Sequence, residues 1–210
     1  MTSQPKGPAK VKGDVRREQI VQATLRIIAQ KGISSLTTSS LAREVGISEA
    51  NLYRHFRNKD EIYLATVGQV QDMITRNLKR VLTEHAEPVI ILKSFFMLQI
   101  GLMEENSGIP RLMFSEELHV HHAMRELILE TMYSVSDKLA SLIKDGQKTG
   151  AIRKDVDAQA TVLMIVAMMQ GLAFRWSLGG FSFPLSREAA RAWKNFERMI
   201  TTGAAARRVA

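Results

Sequence analysis

The chain has 210 residues, 45% of them apolar, a formal net charge of +8 and a sequence pI near 9.9. That is enough to bury one substantial core, or a small domain beside a larger one. It has no cysteine, which excludes a disulfide framework, a thiolate nucleophile and a cysteine-based zinc site. The charge is uneven: residues 1–60 hold 11 Lys/Arg against 5 Asp/Glu, and the remaining 150 hold 18 against 16. Basicity concentrated at one end fits a phosphate-bearing partner, through counterion release, or a solvated basic surface.

Residues 1–13 carry Pro, Gly and three lysines without an apolar run. They predict a disordered basic arm rather than a secretory signal, with Lys6, Lys10 and Lys12 either lying along phosphate or simply solvated. Asp14 is a plausible N-cap for an amphipathic first helix to Lys31, with Ile20, Ala23, Leu25, Ile27 and Ile28 as apolar positions and Gly32 as its stop. Next comes Thr37 to Lys59, TTSSLAREVGISEANLYRHFRNK. Leu41, Ala42 and Val45 share one face of a short helix, and Leu52 and Phe56 share one face of another. Thr37 or Thr38 can cap the first, Gly46 can end it in a left-handed conformation, and Ser48 can cap the second. The result is a helix-turn-helix within a domain spanning residues 14–58. The outward face of its second helix carries Glu49, Asn51, Tyr53, Arg54 and His55, a hydrogen-bonding, stacking and cationic set that fits a DNA major groove.

Residues 59–210 predict a larger helical domain. Asn58 caps a fourth helix, Lys59 to about Thr83, and Glu87-Pro88 opens a fifth from Val89 to Glu105 that is apolar nearly all round. A sixth runs from Arg111 to Leu118, and a seventh from His121 to Lys148. An eighth, capped by Asp155 or Asp157, reaches Ser177, and a ninth spans Arg187 to Thr202. With nine helices and no strand pattern, the chain is all-α. The most apolar stretch, Ala160 to Phe174, falls short of the roughly 18 residues needed to span a bilayer. The expectation is a soluble cytoplasmic protein with no membrane partner.

The segment ISSLTTSSLAREVGISEANLYRHFRNKDEIY, with its LYRHF core and the lysine three residues after Phe56, resembles the DNA-binding region of the tetracycline-repressor (TetR) family of bacterial transcription factors. The resemblance implies that Thr38 and Ser39 meet phosphate. Glu49, Ala50, Asn51 and Arg54 would face base edges, Tyr53, His55 and Lys59 would hold the DNA backbone, and the capping Ser48 belongs to the same DNA-binding set. Glu49 departs from the amide or basic residue often found there and could accept from cytosine N4. GQKTGAIRKDVD and the apolar helix after it also resemble the family's C-terminal half, less specifically. That likeness implies a homodimer through the last two helices, with Ala160, Ala167, Gly171, Trp176, Trp193 and Phe196 at the interface. Small residues allowing close approach agree with this, although a buried helix within one chain has the same composition.

Adaptable apolar side chains on helices five to eight are either plain core or the walls of a pocket for an apolar or aromatic small molecule: Phe95, Phe96, Met103, Met113, Phe114, Met132, Met168 and Phe174. Glu116, His119 and His122 have partial metal-ligand spacing, but a di-metal helical site needs a second Glu-x-x-His motif, so neither metal nor cofactor is expected. No nucleophile elbow, phosphate loop or dinucleotide glycine pattern is present, so no enzyme activity is expected. The predicted function is a sequence-specific transcriptional regulator, a repressor released from a palindromic operator by a small ligand. The alternative is a DNA-binding protein without a small-molecule effector, architectural or partner-controlled.

Overall fold

A computed structural model describes residues 8–202, and only the backbone of 8–12. Helix α1 (Pro8–Lys31) begins earlier than expected. Proline suits a first helical turn because its missing N–H would have no partner there, so Asp14 lies inside the helix and does not cap it. Residues 8–13 are therefore helix, not disordered arm, while residues 1–7, Lys6 among them, lie outside the described residues. After Gly32 (φ 80°) and a single 3-10 turn at Ile33–Ser35, α2 (Thr38–Val45) and α3 (Glu49–Tyr53) follow.

Their boundaries are set by side-chain caps. Thr37 Oγ1 accepts from the Ser40 amide at 3.0 Å, and Ser40 Oγ accepts from the Thr37 amide at 2.9 Å. Gly46 ends α2 at φ 73°, and Ser48 Oγ accepts from the Asn51 amide at 3.2 Å. Asn58 Oδ1 accepts from the Glu61 amide at 2.8 Å and starts α4 (Lys59–Glu84). Because Thr37 satisfies an otherwise orphaned donor, Thr37→Ala is expected to cost about 1 kcal/mol in urea unfolding. An unchanged midpoint would mean that the cap contributes nothing. The three short elements close over Ile20, Ile28, Leu36, Leu41, Leu52 and Phe56, all 1% exposed or less.

The body comprises α5 (Pro88–Glu105), α6 (Gly108–Met113), α7 (Glu116–Val120), α8 (His122–Lys148), α9 (Ala158–Leu178) and α10 (Leu185–Ile200), making ten α-helices among the described residues. The expected sixth helix is in fact two. At Ser115 the hydroxyl donates to Leu112 O at 2.7 Å and satisfies the end of α6, so the chain turns with neither Gly nor Pro at the break. Asp157, not Asp155, caps α9, accepting from the Ala160 amide at 2.7 Å.

The body core centres on α5. Phe96 and Trp193 rings lie 5.1 Å apart, the Trp193 indole N–H donates to Glu197 at 2.7 Å, and that of Trp176 donates to Phe183 O at 2.8 Å. With their N–H groups satisfied, both indoles bury inside their own chain. Trp176, Trp193 and Phe196 are 4%, 1% and 6% exposed, which corrects their expected place at a dimer interface. Helix α9 extends past the apolar run at both ends to 21 residues, so it is long and apolar enough to cross a membrane by length and composition alone. This corrects the length argument, although α9 packs one face, with Val162, Ile165 and Trp176, into the core.

Head and body are joined by α4, which runs through both, by α6, which lies on α1, and by α7 and the start of α8, whose Leu118, Met124 and Ile128 pack into the head's core. A Cβ on Gly108 would sit 2.2 Å from the Leu25 carbonyl oxygen, and Arg111 donates to Ile28 O at 3.2 Å.

Candidate DNA interface and ligand cavity

Burial of Leu52 and Phe56 turns the opposite side of α3 outward. Ser39, Ser48, Glu49, Ala50, Tyr53 and Arg54 are exposed there, while Thr38, Asn51, His55 and Lys59 are half-buried at its edges. All ten residues expected to face DNA are thus at least partly exposed. The Thr38 hydroxyl donates to the Glu49 carboxylate at 2.7 Å. That proton is committed within the protein, and Glu49 is held in place with its other oxygen free to accept. The Lys59 ammonium lies 5.1 Å from the Tyr63 ring centroid, held beside the base of the recognition turn.

Arg17 was not legible as part of this site. It donates to the His55 carbonyl and lies 4.1 Å over the Phe56 ring. A cation there suits the negative end of α3 and fastens α1 to the recognition segment. Its only sequence signal was membership of the basic pair Arg16-Arg17.

At the junction of α4 and α7, Tyr63 is buried with its hydroxyl unpartnered. Burial, reinforced by Glu117 and Asp60, pushes the phenol up to about 12. His121 lies 3.7 Å from Asp60, His122 pairs with Glu126 at 3.2 Å, and His119 meets Ser115 O at 2.9 Å. The histidines face separate partners, and among the described residues no group of three or more His, Asp or Glu converges as a metal site.

The body holds a cavity of about 170 Å³ between α4, α5, α6, α8 and α9, partly open to solvent beside Phe114 and Met132. Phe95, Met103, Met113, Phe114 and Met132 line it as expected. Phe96, Met168 and Phe174 do not: Phe96 is spent against Trp193, Met168 packs on the body core, and Phe174 lies edge-on to Phe114 on the outside, 48% exposed. Val70 and Ile74 of α4 and Ile109 and Pro110 of α6 complete walls shared with the elements that support the head. Gln99, also in the wall, gave one sequence signal, a lone amide within the apolar VIILKSFFMLQIGLM.

A basic three-helix head with an outward recognition helix, carried on a helical body with a cavity, defines a DNA-binding regulator. Residues 20–66 match the family description "Bacterial regulatory proteins, tetR family", and residues 88–177 match "Tetracyclin repressor-like, C-terminal domain". The chain belongs to the TetR family of transcriptional regulators. Among curated relatives, the nucleoid occlusion factor SlmA of Edwardsiella ictaluri is 25% identical over 180 residues, covering 85% of this chain and 91% of that one. SlmA of Marinomonas sp. is 24% identical over 157 residues, covering 74% and 80%.

Solved structures share the fold. A regulator from Saccharomonospora viridis in complex with choline has a TM-score of 0.79 at 23% identity, covering 90% of this chain and 99% of that one. FadR of Bacillus subtilis in complex with stearoyl-CoA has a TM-score of 0.73 at 17% identity, covering 85% and 96%.

Proposed function

We propose that the chain is a homodimeric transcriptional repressor that leaves a palindromic operator when a small, largely apolar molecule enters its body. The observation that carries this reading is the sharing of walls. Val70 and Ile74 lie on the helix that continues into the head, and Ile109 and Pro110 lie on the helix seated against α1. A ligand that favours one spacing of these walls therefore favours one placement of the head, and differential affinity for the two placements is all that release requires. The outer face of α9 supports the dimer. Ala160, Met164, Ala167, Gly171, Phe174 and Leu178 recur at alternating steps of four and three. Met164, Phe174 and Leu178 are 53%, 48% and 73% exposed, and neighbouring Leu163 is 68% exposed. This spacing suits the seam of a helix pair, and an apolar stripe of this kind is seldom left to water.

The test is a thermal-shift screen of apolar compounds, followed by DNA release in anisotropy. A compound that raises the melting temperature and detaches DNA supports the reading. Compounds that stabilise the chain yet leave DNA bound refute release.

A second reading, control by a protein partner without an effector, is favoured by the sequence relatives, which are named nucleoid occlusion factors. It is supported instead if no compound in the screen shifts the melting temperature.

The head also predicts a division of labour. Asn51→Ala and Arg54→Ala are expected to cost about 1–3 kcal/mol on the operator and relax preference at particular bases, whereas Tyr53→Ala and Lys59→Ala weaken binding to all duplexes. Equal losses on operator and random DNA for all four would contradict this assignment.

A further inference from the structure

The cavity wall contains no Asp, Glu, Lys, Arg or His. A charged ligand would lose its hydration there and find no counter-charge in return. The polar groups in the wall are Gln99, Thr131, Ser136 and Gln170. Thr131 has already committed its proton to Leu127 O at 2.8 Å. Gln99 is different: it is only 7% exposed, and its Nε2 has no hydrogen-bond partner in the chain.

Phe95, Gln99 and Met103 follow one another at four-residue steps along α5, so the amide sits midway along an apolar stripe of the wall. As placed, Nε2 has no accessible surface, so the amide must turn to present it to the cavity, and rotation about the terminal torsion of glutamine is soft enough to allow this. Buried amide donors without partners are rare in folded proteins, and one beside a cavity is matched when a ligand supplies the acceptor. In size, an apolar cavity of about 150 Å³ holds a benzene-like ring.

Resting on the effector reading above, we infer that the cavity takes a neutral ligand of roughly one-ring bulk, with a single hydrogen-bond acceptor, a carbonyl or ether-type oxygen, bound by Gln99 Nε2. Anions and cations of the same shape are excluded.

Four probes of similar shape separate the parts of this inference: ethylbenzene without an acceptor, acetophenone with one, benzoate as an anion and benzylammonium as a cation. Their affinities are measured by ligand-detected NMR on the full chain and on Gln99→Met, which keeps length and removes the amide. Acetophenone is expected to bind about tenfold more tightly than ethylbenzene. Gln99→Met should abolish that margin and leave ethylbenzene unchanged, and neither ion should bind.

Should Gln99→Met misfold by circular dichroism, Gln99→Glu replaces it. There the carboxylate is expected to admit benzylammonium and lose the preference for acetophenone. Competitive binding of either ion to the unsubstituted chain overturns the ligand class while leaving the effector reading intact. A margin that survives loss of the amide overturns the role of Gln99. Failure of all four probes to bind overturns this inference, while the effector reading stands or falls on the wider compound screen.

Discussion

Leu163→Glu combined with Leu178→Glu is expected to give a folded monomer whose affinity for an inverted-repeat duplex is lower by roughly 10²–10⁴. Both leucines lie on the bare side of α9, 68% and 73% exposed. Burying two carboxylates against a second copy is expensive, while placing them in water is not. The inner face of the same helix, with Val162, Ile165 and Trp176, is untouched, so the chain itself should fold. The affinity loss is large because two heads joined by one interface bind the second half-site as an intramolecular event, and a lone head forfeits that advantage. Sedimentation, circular dichroism and anisotropy check the three parts. A variant that remains dimeric, or a monomer that binds as well as the original, would contradict the assignment of this face.

Gly108→Ala is expected to destabilise the protein by about 1–3 kcal/mol and to loosen the seat of α6 on α1. The added Cβ would lie 2.2 Å from Leu25 O, 3.0 Å from Leu25 C and 3.3 Å from its Cα, all backbone atoms of a helix that has no side-chain torsion to give way. Either α6 lifts or α1 bends, and both disturb the Arg111 bond to Ile28 O. Gly101→Ala, where nothing lies within 4 Å, is the control. Within the helical span of α5, towards its C-terminal end, it should be neutral or stabilising by up to about 1 kcal/mol. Urea melts of the two variants check the contrast, and amide exchange along α1 should accelerate only for Gly108→Ala. Equal stabilities would show that the helices are not locked at this point.

The contrast between these glycines bears on what could be read from the chain beforehand. Gly46, Ser48 and Asn58 were legible, and Thr37 and Asp157 were each narrowed to one of two neighbours, because caps and left-handed turns are local chemistry, decided within three or four residues. The outward face of α3 was legible for the same reason, since Leu52 and Phe56 fix which side of a short helix turns inward. Ser115 hid the break between α6 and α7, because its hydroxyl ends α6 only once the turn exists. Trp176, Trp193 and Phe196 were placed between two chains when they belong inside one. An apolar helix has the same composition in either setting, and only tertiary packing shows which side remains bare. The cavity was half legible: Met and Phe enrichment marked its helices, but which of Phe95 and Phe96 would face it depended on where Trp193 packed.

Selection of bound duplexes from a random pool by the full chain tests the central claim most directly, because it reports sequence preference and symmetry together. The account predicts enrichment of an inverted repeat, two half-sites about one helical turn apart, centre to centre, or a multiple of that spacing. A pool that stays random after repeated rounds at low salt, or one that converges on a solitary half-site, would contradict it.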